Sequence, residues 1–277
     1  MMTRMALGLL LLTATSALAQ EPEPVYKKVG EVELKLFLSF PDDWKAADKR
    51  PAIVFFFGGG WAQGTPEQFS KQAAYLAKRG MVAARADYRV KSRHSVTPDK
   101  CVEDAKSAVR WLRKNAAALG IDPDRIVAAG GSAGGHIAAC TGTVPGFDAE
   151  GEDLSISSKP NAMILFNPVL HAEPIAQRMN DPEAAKKITP NLHLEKGLPP
   201  ALILFGTADA LKEGTKDYLA KAKELGATAE IYWAEGQPHG FFNRSPWMER
   251  TLHRADEFLI SLGYLQGKPT IEPPKEK

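Results

Sequence analysis

Cysteine is scarce. The 277 residues hold only Cys101 and Cys140. Two lone thiols make neither a disulfide framework nor a cysteine-based metal site. An oxidising compartment would permit one bridge between them, but the sequence does not fix their separation. A dense block of one charge is also missing. Lys and Arg number 35 against 33 Asp and Glu, a formal net charge of +2. No basic stripe tracks a phosphate backbone, so nucleic acid is excluded as a partner. No internal repeat occurs, which removes solenoids and propellers. After the N-terminus no apolar run approaches the ~20 residues that span a bilayer.

The first residues stand apart. Residues 1–19 carry one cation, Arg4, then an apolar run over 5–12, and end in Ala17-Leu18-Ala19. This small-x-small ending reads as a secretory signal cut before Gln20. No Cys follows it, so nothing supports a lipoprotein anchor. The chain is therefore expected in the periplasm or outside the cell. Residues 20–265 are expected to form one domain. Residues 266–277, rich in Pro, Lys and Glu, are expected to be a disordered tail.

What is present is a rhythm of strand and helix. Residues 25–29 and 32–40 read as an antiparallel opening pair across Gly30-Glu31. Val32, Leu34, Leu36, Leu38 and Phe40 alternate with mostly polar residues, and only Phe37 breaks the pattern. Residues 52–57 are continuously apolar, as a strand covered on both faces should be. Strands are also predicted over 81–90, 125–129, 162–166, 201–205 and 229–233. Helices are predicted over 66–79, 98–118, 132–141, 213–225 and 247–262. The expected fold class is α/β, a mostly parallel sheet with helices on both faces. Residues 143–158 and 170–200 break the rhythm, and such excursions often serve as functional loops or lids.

The chemistry gathers at strand ends. Gly130-Gly131-Ser132-Ala133-Gly134 fits G-x-S-x-G between a strand and a small-residue helix, the context of a nucleophile elbow. No G-K-[ST] follows, which disfavours a phosphate loop. A serine hydroxyl needs a base, and the base needs an orienting acid. His239 follows the strand at 229–233 and Asp209 follows the strand at 201–205. Ser132, Asp209 and His239 are the candidate nucleophile, acid and base. His136 lies four residues beyond Ser132 on the same helix and reads as structural. Asp217 reads as a solvated helix face. Phe57-Gly58-Gly59-Gly60-Trp61 follows a buried strand, and its glycines can turn backbone N–H groups inward. Gly59, Gly60 and Ala133 are the candidate donors to an oxyanion. Trp61, Tyr88 and Phe241 flank these loops and are candidates for the substrate pocket. No motif calls for a metal or a cofactor.

Taken together, the Gly-Gly-Gly-Trp run, Asp87-Tyr88-Arg89, the elbow through Gly135-His136, and His239-Gly240-Phe241 resemble the esterase/lipase branch of the α/β-hydrolase superfamily. The order Ser132, Asp209, His239 is that superfamily's order. The chain is also similar to compact bacterial esterases of the acetylxylan/feruloyl type, which act on polysaccharide side chains. The resemblance implies an α/β-hydrolase fold with a short lid and a serine carboxylesterase working through an acyl-enzyme. Short-chain acyl or polysaccharide-linked acetyl and feruloyl esters are the implied substrates. Two departures stand out. Phe57 occupies a position where the family usually has His, so the glycine loop must be braced differently. The N-terminal helical cap of hormone-sensitive-lipase-like members is not expected here, which leaves residues 170–200 as the main candidate lid. An amide or peptide hydrolase is the competing enzyme reading, and a non-catalytic binding protein is the competing class.

Overall fold

The computed structural model describes residues 22–274. The expected signal at residues 1–19 lies outside them. The strands are β1 (Val25–Val29), β2 (Val32–Ser39), β3 (Arg50–Phe56), β4 (Val82–Ala86), β5 (Ile121–Gly131), β6 (Ala162–Phe166), β7 (Ala201–Gly206) and β8 (Ala229–Ala234). They form one sheet in the order β1-β2-β4-β3-β5-β6-β7-β8. The pairs β1–β2 and β2–β4 are antiparallel, and the pairs from β4 through β3 to β8 are parallel. The helices are α1 (Ser70–Lys78), α2 (Lys91–His94), α3 (Pro98–Lys114), α4 (Ala133–Thr143), α5 (Ala172–Met179), α6 (Pro182–Lys187), α7 (Thr215–Glu224) and α8 (Trp247–Ser261). Among the described residues no helix is long and apolar enough to cross a membrane.

Two core layers explain the hydrophobic pattern. Successive residues of β3 point to opposite faces. Ile53 and Phe55 pack in a layer with Ala73 and Leu76 of α1 and Phe258 and Leu259 of α8. Val54 and Phe56 pack in the other layer with Val102 and Val109 of α3 and Ile137 of α4. Both faces are dry, so the strand reads as an unbroken apolar run. In β2, Leu34, Leu36 and Leu38 are buried as the alternation predicts. Phe37, the residue that broke the pattern, has the Arg85 guanidinium 5.5 Å from its ring centroid, a cation–π contact on the opposite face.

Several boundaries differ from expectation. β4 ends at Ala86, so Tyr88 and Val90, both fully buried, belong to a packed loop rather than the strand. β5 begins at Ile121, with a shift of register before Ala52 pairs Ile126. The excursion at 170–200 folds into α5, α6 and a 3₁₀ turn. The excursion at 143–158 is pinned to α3: Lys106 Nζ donates to Val144 O (2.6 Å) and Arg110 Nε to Ile156 O (2.8 Å). Cys101 and Cys140 are both buried and free.

The expected disordered tail needs correction over residues 266–274. The Tyr75 hydroxyl accepts the N–H groups of Thr270 (3.1 Å) and Ile271 (3.2 Å). Arg79 Nη2 donates to Gln266 O at 2.9 Å, and Ile271 packs against the α1/α8 layer. Composition suggested disorder, but one apolar residue and five backbone groups find partners on the folded domain.

Candidate active site

Parallel pairing brings the carboxyl ends of β3, β5, β6, β7 and β8 to one edge of the sheet, where open α/β sheets place their sites. The loops after these five strands carry the glycine run, Ser132, Asn167, Asp209 and His239.

Ser132 sits between β5 and α4 at φ 55°, ψ −118°, a strained backbone for a residue with a side chain. The turn closes only because its neighbours are small. A Cβ on Gly134 would lie 2.0 Å from Phe56 O, and one on Gly130 would lie 2.4 Å from Gly134 O. The Ser132 N–H donates to Phe166 O of β6 at 2.9 Å, which ties the elbow to the sheet. Ser132 Oγ lies 2.8 Å from His239 Nε2, and His239 Nδ1 lies 2.7 Å from Asp209 Oδ2. Asp209 is 1% exposed, and its second oxygen accepts Leu211 N–H at 2.8 Å. A buried carboxylate that only accepts fixes the proton on Nδ1, so Nε2 is left to accept from Ser132.

The glycine loop faces the serine. Gly59 and Gly60 have φ of 126° and 61°, conformations that glycine adopts without strain. Among the described residues, the N–H groups of Gly59, Gly60 and Ala133 are spent on no other partner. Ala133 opens α4, so its N–H is one of the free donors at a helix start. A cleft of about 260 Å³ lies here, between Gly59, Gly60, Ser132, Asn167, His239 and Phe242. A larger depression of about 810 Å³ near Arg113, Lys159 and Pro200 lies at the amino end of β6, away from all of these residues.

The loop is braced without the usual histidine. Tyr88 stacks on Phe57 with ring centroids 4.1 Å apart, and its hydroxyl donates to Phe57 O at 2.6 Å. Gln68 Oε1 accepts the Gly58 N–H at 2.6 Å. Trp61 Nε1 donates to His136 Nδ1 at 3.1 Å, while His136 Nε2 donates to Ile188 O at 2.7 Å. His136 thus joins three parts: the glycine loop, the serine helix and the turn that follows α6. Burial holds its pKa down to about 4, against the opposing pull of its bond to Ile188. Burial likewise pushes the Cys140 thiol well up, so it is no nucleophile.

The structure therefore brings Ser132, Asp209, His239, Gly59, Gly60 and Ala133 to one place, and keeps three expected pocket residues out of it. Trp61 is 4% exposed and turned inward onto His136. Tyr88 is fully buried beneath Phe57. Phe241 is 6% exposed and packs edge-on against Trp247. The next residue, Phe242, lines the cleft instead.

Three residues that no motif marks complete the walls. Gln68 Nε2 donates to Asn243 Oδ1 (3.0 Å), and Asn243 Nδ2 donates to Gly240 O (2.9 Å). Gly240 N–H donates to Asn167 Oδ1 at 3.1 Å. Gln68, Asn243 and Asn167 thereby link the glycine loop to the histidine loop. Only Asn167 gave a signal, as a polar residue just past a buried strand.

Comparison with known proteins points one way. The BD-FAE family model matches residues 40–172. The probable isoprenylcysteine alpha-carbonyl methylesterase ICMEL1 of Arabidopsis thaliana is 30% identical over 217 residues, covering 69% of this chain and 45% of that protein. Carboxylesterase NlhH of Mycobacterium tuberculosis is 28% identical over 71% of this chain and 68% of its own length. Thus the chain spans about half to two-thirds of these curated relatives. The propionate-bound Thermogutta terrifontis esterase Est2 superposes with a TM-score of 0.85 and 48% identity, over 90% of this chain and 97% of that one. The same esterase phosphorylated by paraoxon superposes at 0.86 and 48% identity, over 93% and 100%.

Proposed function

This chain belongs to the serine carboxylesterase branch of the α/β-hydrolase superfamily, and from that premise we propose that Ser132, His239 and Asp209 are its catalytic triad. The continuous relay Ser132 Oγ–His239 Nε2 (2.8 Å) and His239 Nδ1–Asp209 Oδ2 (2.7 Å) carries this reading.

The steps follow from the geometry. His239 Nε2 takes the hydroxyl proton as Ser132 Oγ attacks the ester carbonyl. Asp209 stabilises the resulting imidazolium and holds its orientation. The developing oxyanion is received by the N–H groups of Gly59, Gly60 and Ala133. Such donors are worth about 3 kcal/mol each in the transition state. The imidazolium then protonates the leaving alcohol, giving an acyl-enzyme on Ser132. Water, activated by the same His239, releases the acid. The Thermogutta relative, described as phosphorylated by paraoxon, supports a nucleophile that organophosphates trap.

The substrates are esters of short acyl groups, including those attached to polysaccharides, and the enzyme works outside the cytoplasm. Three observations support the short acyl groups and the location. The cleft of about 260 Å³ is small. The Thermogutta relative is described with propionate and with butyrate bound. Residues 1–19 have the pattern of an export signal. A panel of p-nitrophenyl acetate, butyrate and palmitate, acetylated xylan, methyl ferulate and formyl-kynurenine tests it. Acetyl and butyryl esters should dominate. A preference for palmitate or for the amide would overturn the substrate assignment.

A further inference from the structure

A second cavity of about 450 Å³ opens beside the triad loops, lined by Thr207, Glu213, Lys216, Asp217, Trp233 and Glu235 among others. Its wall is built from the same two strand-end loops that carry Asp209 and His239. Thr207 N–H donates to Ala234 O (3.0 Å) and Ala208 N–H to Gln237 O (3.1 Å), so the loops are laced together here. Gly236 N–H donates to Thr207 Oγ1 at 2.7 Å.

Trp233 is the anomaly. Strand alternation puts it on the face of β8 that includes Ile231, which packs against the core, and its ring leans on Phe205. Yet Trp233 is 41% exposed. An indole left open at the mouth of a cavity offers a flat apolar face with a polar edge to a ligand. The charged residues point the same way. Among the described residues, the side chains of Glu213, Lys216, Asp217 and Glu235 make no hydrogen bond or ion pair. Lys212 is tied to the triad loop through Asp209 O at 3.3 Å.

The chemistry of the rim selects the ligand. A lipid chain would meet a ring of charges. A simple anion would face three carboxylates, and a simple cation would face two ammonium groups. A sugar ring offers a flat C–H face for the indole and hydroxyls that both donate and accept. The carboxylates accept from such hydroxyls and the ammonium groups donate to them. The volume lies within the ~300–1,000 Å³ range of small-molecule sites.

We propose that this cavity is a saccharide subsite in which a pyranose ring stacks on Trp233 and its hydroxyls bond Lys216, Asp217 and Glu235. The proposal rests on the reading that the substrates include saccharide-linked esters. It locates where the carbohydrate is held while the ester reaches Ser132.

The test uses the full mature chain. Calorimetry of the Ser132→Ala protein with xylotetraose, cellotetraose and mannotetraose measures binding without turnover. At least one should bind, and adding Trp233→Ala should weaken it on the order of tenfold, while Trp233→Phe retains most of it. In the Ser132-intact protein, Trp233→Ala should lower the ratio of kcat/KM on acetylated xylotetraose to that on p-nitrophenyl acetate by a similar factor. Lys216→Ala should lower it in the same direction, which guards against a fold defect from losing the indole. Saccharide binding that ignores Trp233, or an unchanged ratio, overturns the subsite. Turnover of saccharide esters without tetrasaccharide binding also overturns it and leaves the substrate reading standing. Binding through Trp233 without turnover of any saccharide ester upholds the site and overturns the substrate reading.

Discussion

Acid should weaken this protein through His136. Both ring nitrogens are committed: Nδ1 accepts from Trp61 and Nε2 donates to Ile188 O. Protonation would put a hydrogen on Nδ1, against the Trp61 N–H, inside a fully buried site. The folded pKa is about 4, whereas an unfolded histidine titrates near ~6.5. A folded value below the unfolded one means that stability is complete above pH ~6.5 and is lost as pH falls towards 4. At pH 4.5 the unfolded chain binds a proton that the folded chain mostly refuses. Integrating between the two values gives a loss of about 2.5 kcal/mol relative to pH 7.5. For a domain of this size that is on the order of 5–10 °C in Tm. Other groups titrate over the same interval, so the quantity to measure is a difference. Tm at pH 7.5 and 4.5 is compared between the natural protein and His136→Gln, which keeps an acceptor and a donor but cannot be protonated. The variant should lose less by roughly the amount above, whatever its stability at pH 7.5. Equal losses in the two proteins would refute the assignment of His136 as a neutral, doubly bonded strut.

Other consequences are independent of that one. Gln68→Ala leaves the Gly58 N–H without its acceptor, a loss of about 1–3 kcal/mol. Because this loop carries the proposed oxyanion donors, kcat should fall on the order of ten- to a hundredfold with a smaller change in KM; an unaltered kcat would contradict the bracing role. Asp104 is fully buried, accepting from Arg89 Nη2 (2.7 Å) and pairing with Lys27 (2.8 Å). Asp104→Ala leaves Glu103 as the carboxylate still paired with both cations but strands the Arg89 backbone N–H, so urea unfolding should show a loss of about 1–3 kcal/mol. Cys101 and Cys140 are buried and their thiols are held protonated, so a thiol reagent should label neither in the folded protein and both in urea. Rapid labelling without denaturant would contradict their placement.

The meeting of Ser132, Asp209 and His239 at one place was legible because the chemistry proposed for them constrains chain position as well as residue type. A nucleophile must follow a strand and open a helix, and its partners must end later strands. The glycine loop was legible for the same reason. The orientation of a side chain leaves no such trace. Trp61 has φ of 58°, which helps send its ring inward, and nothing in the string of letters carries that turn. Phe241 and Phe242 are adjacent and equally aromatic, yet one is packed against Trp247 and the other faces the cleft. Gln68 and Asn243 are 175 residues apart, so their bridge exists only once the sheet is folded. The tail differs for a related reason: its composition is that of a solvated segment, and its contacts are made with the Tyr75 hydroxyl, Arg79, His253 and the apolar layer under Ile271.

The central claim is that Ser132 is the nucleophile and that His239 activates it. Intact-mass spectrometry after treatment with a fluorophosphonate tests it directly. One adduct per chain should form, map by peptide sequencing to Ser132, and abolish ester hydrolysis in proportion to labelling. Ser132→Ala should take no label, and His239→Ala should label slower by orders of magnitude. An active protein that stays unlabelled, or an adduct on another residue that tracks the loss of activity, would contradict the account.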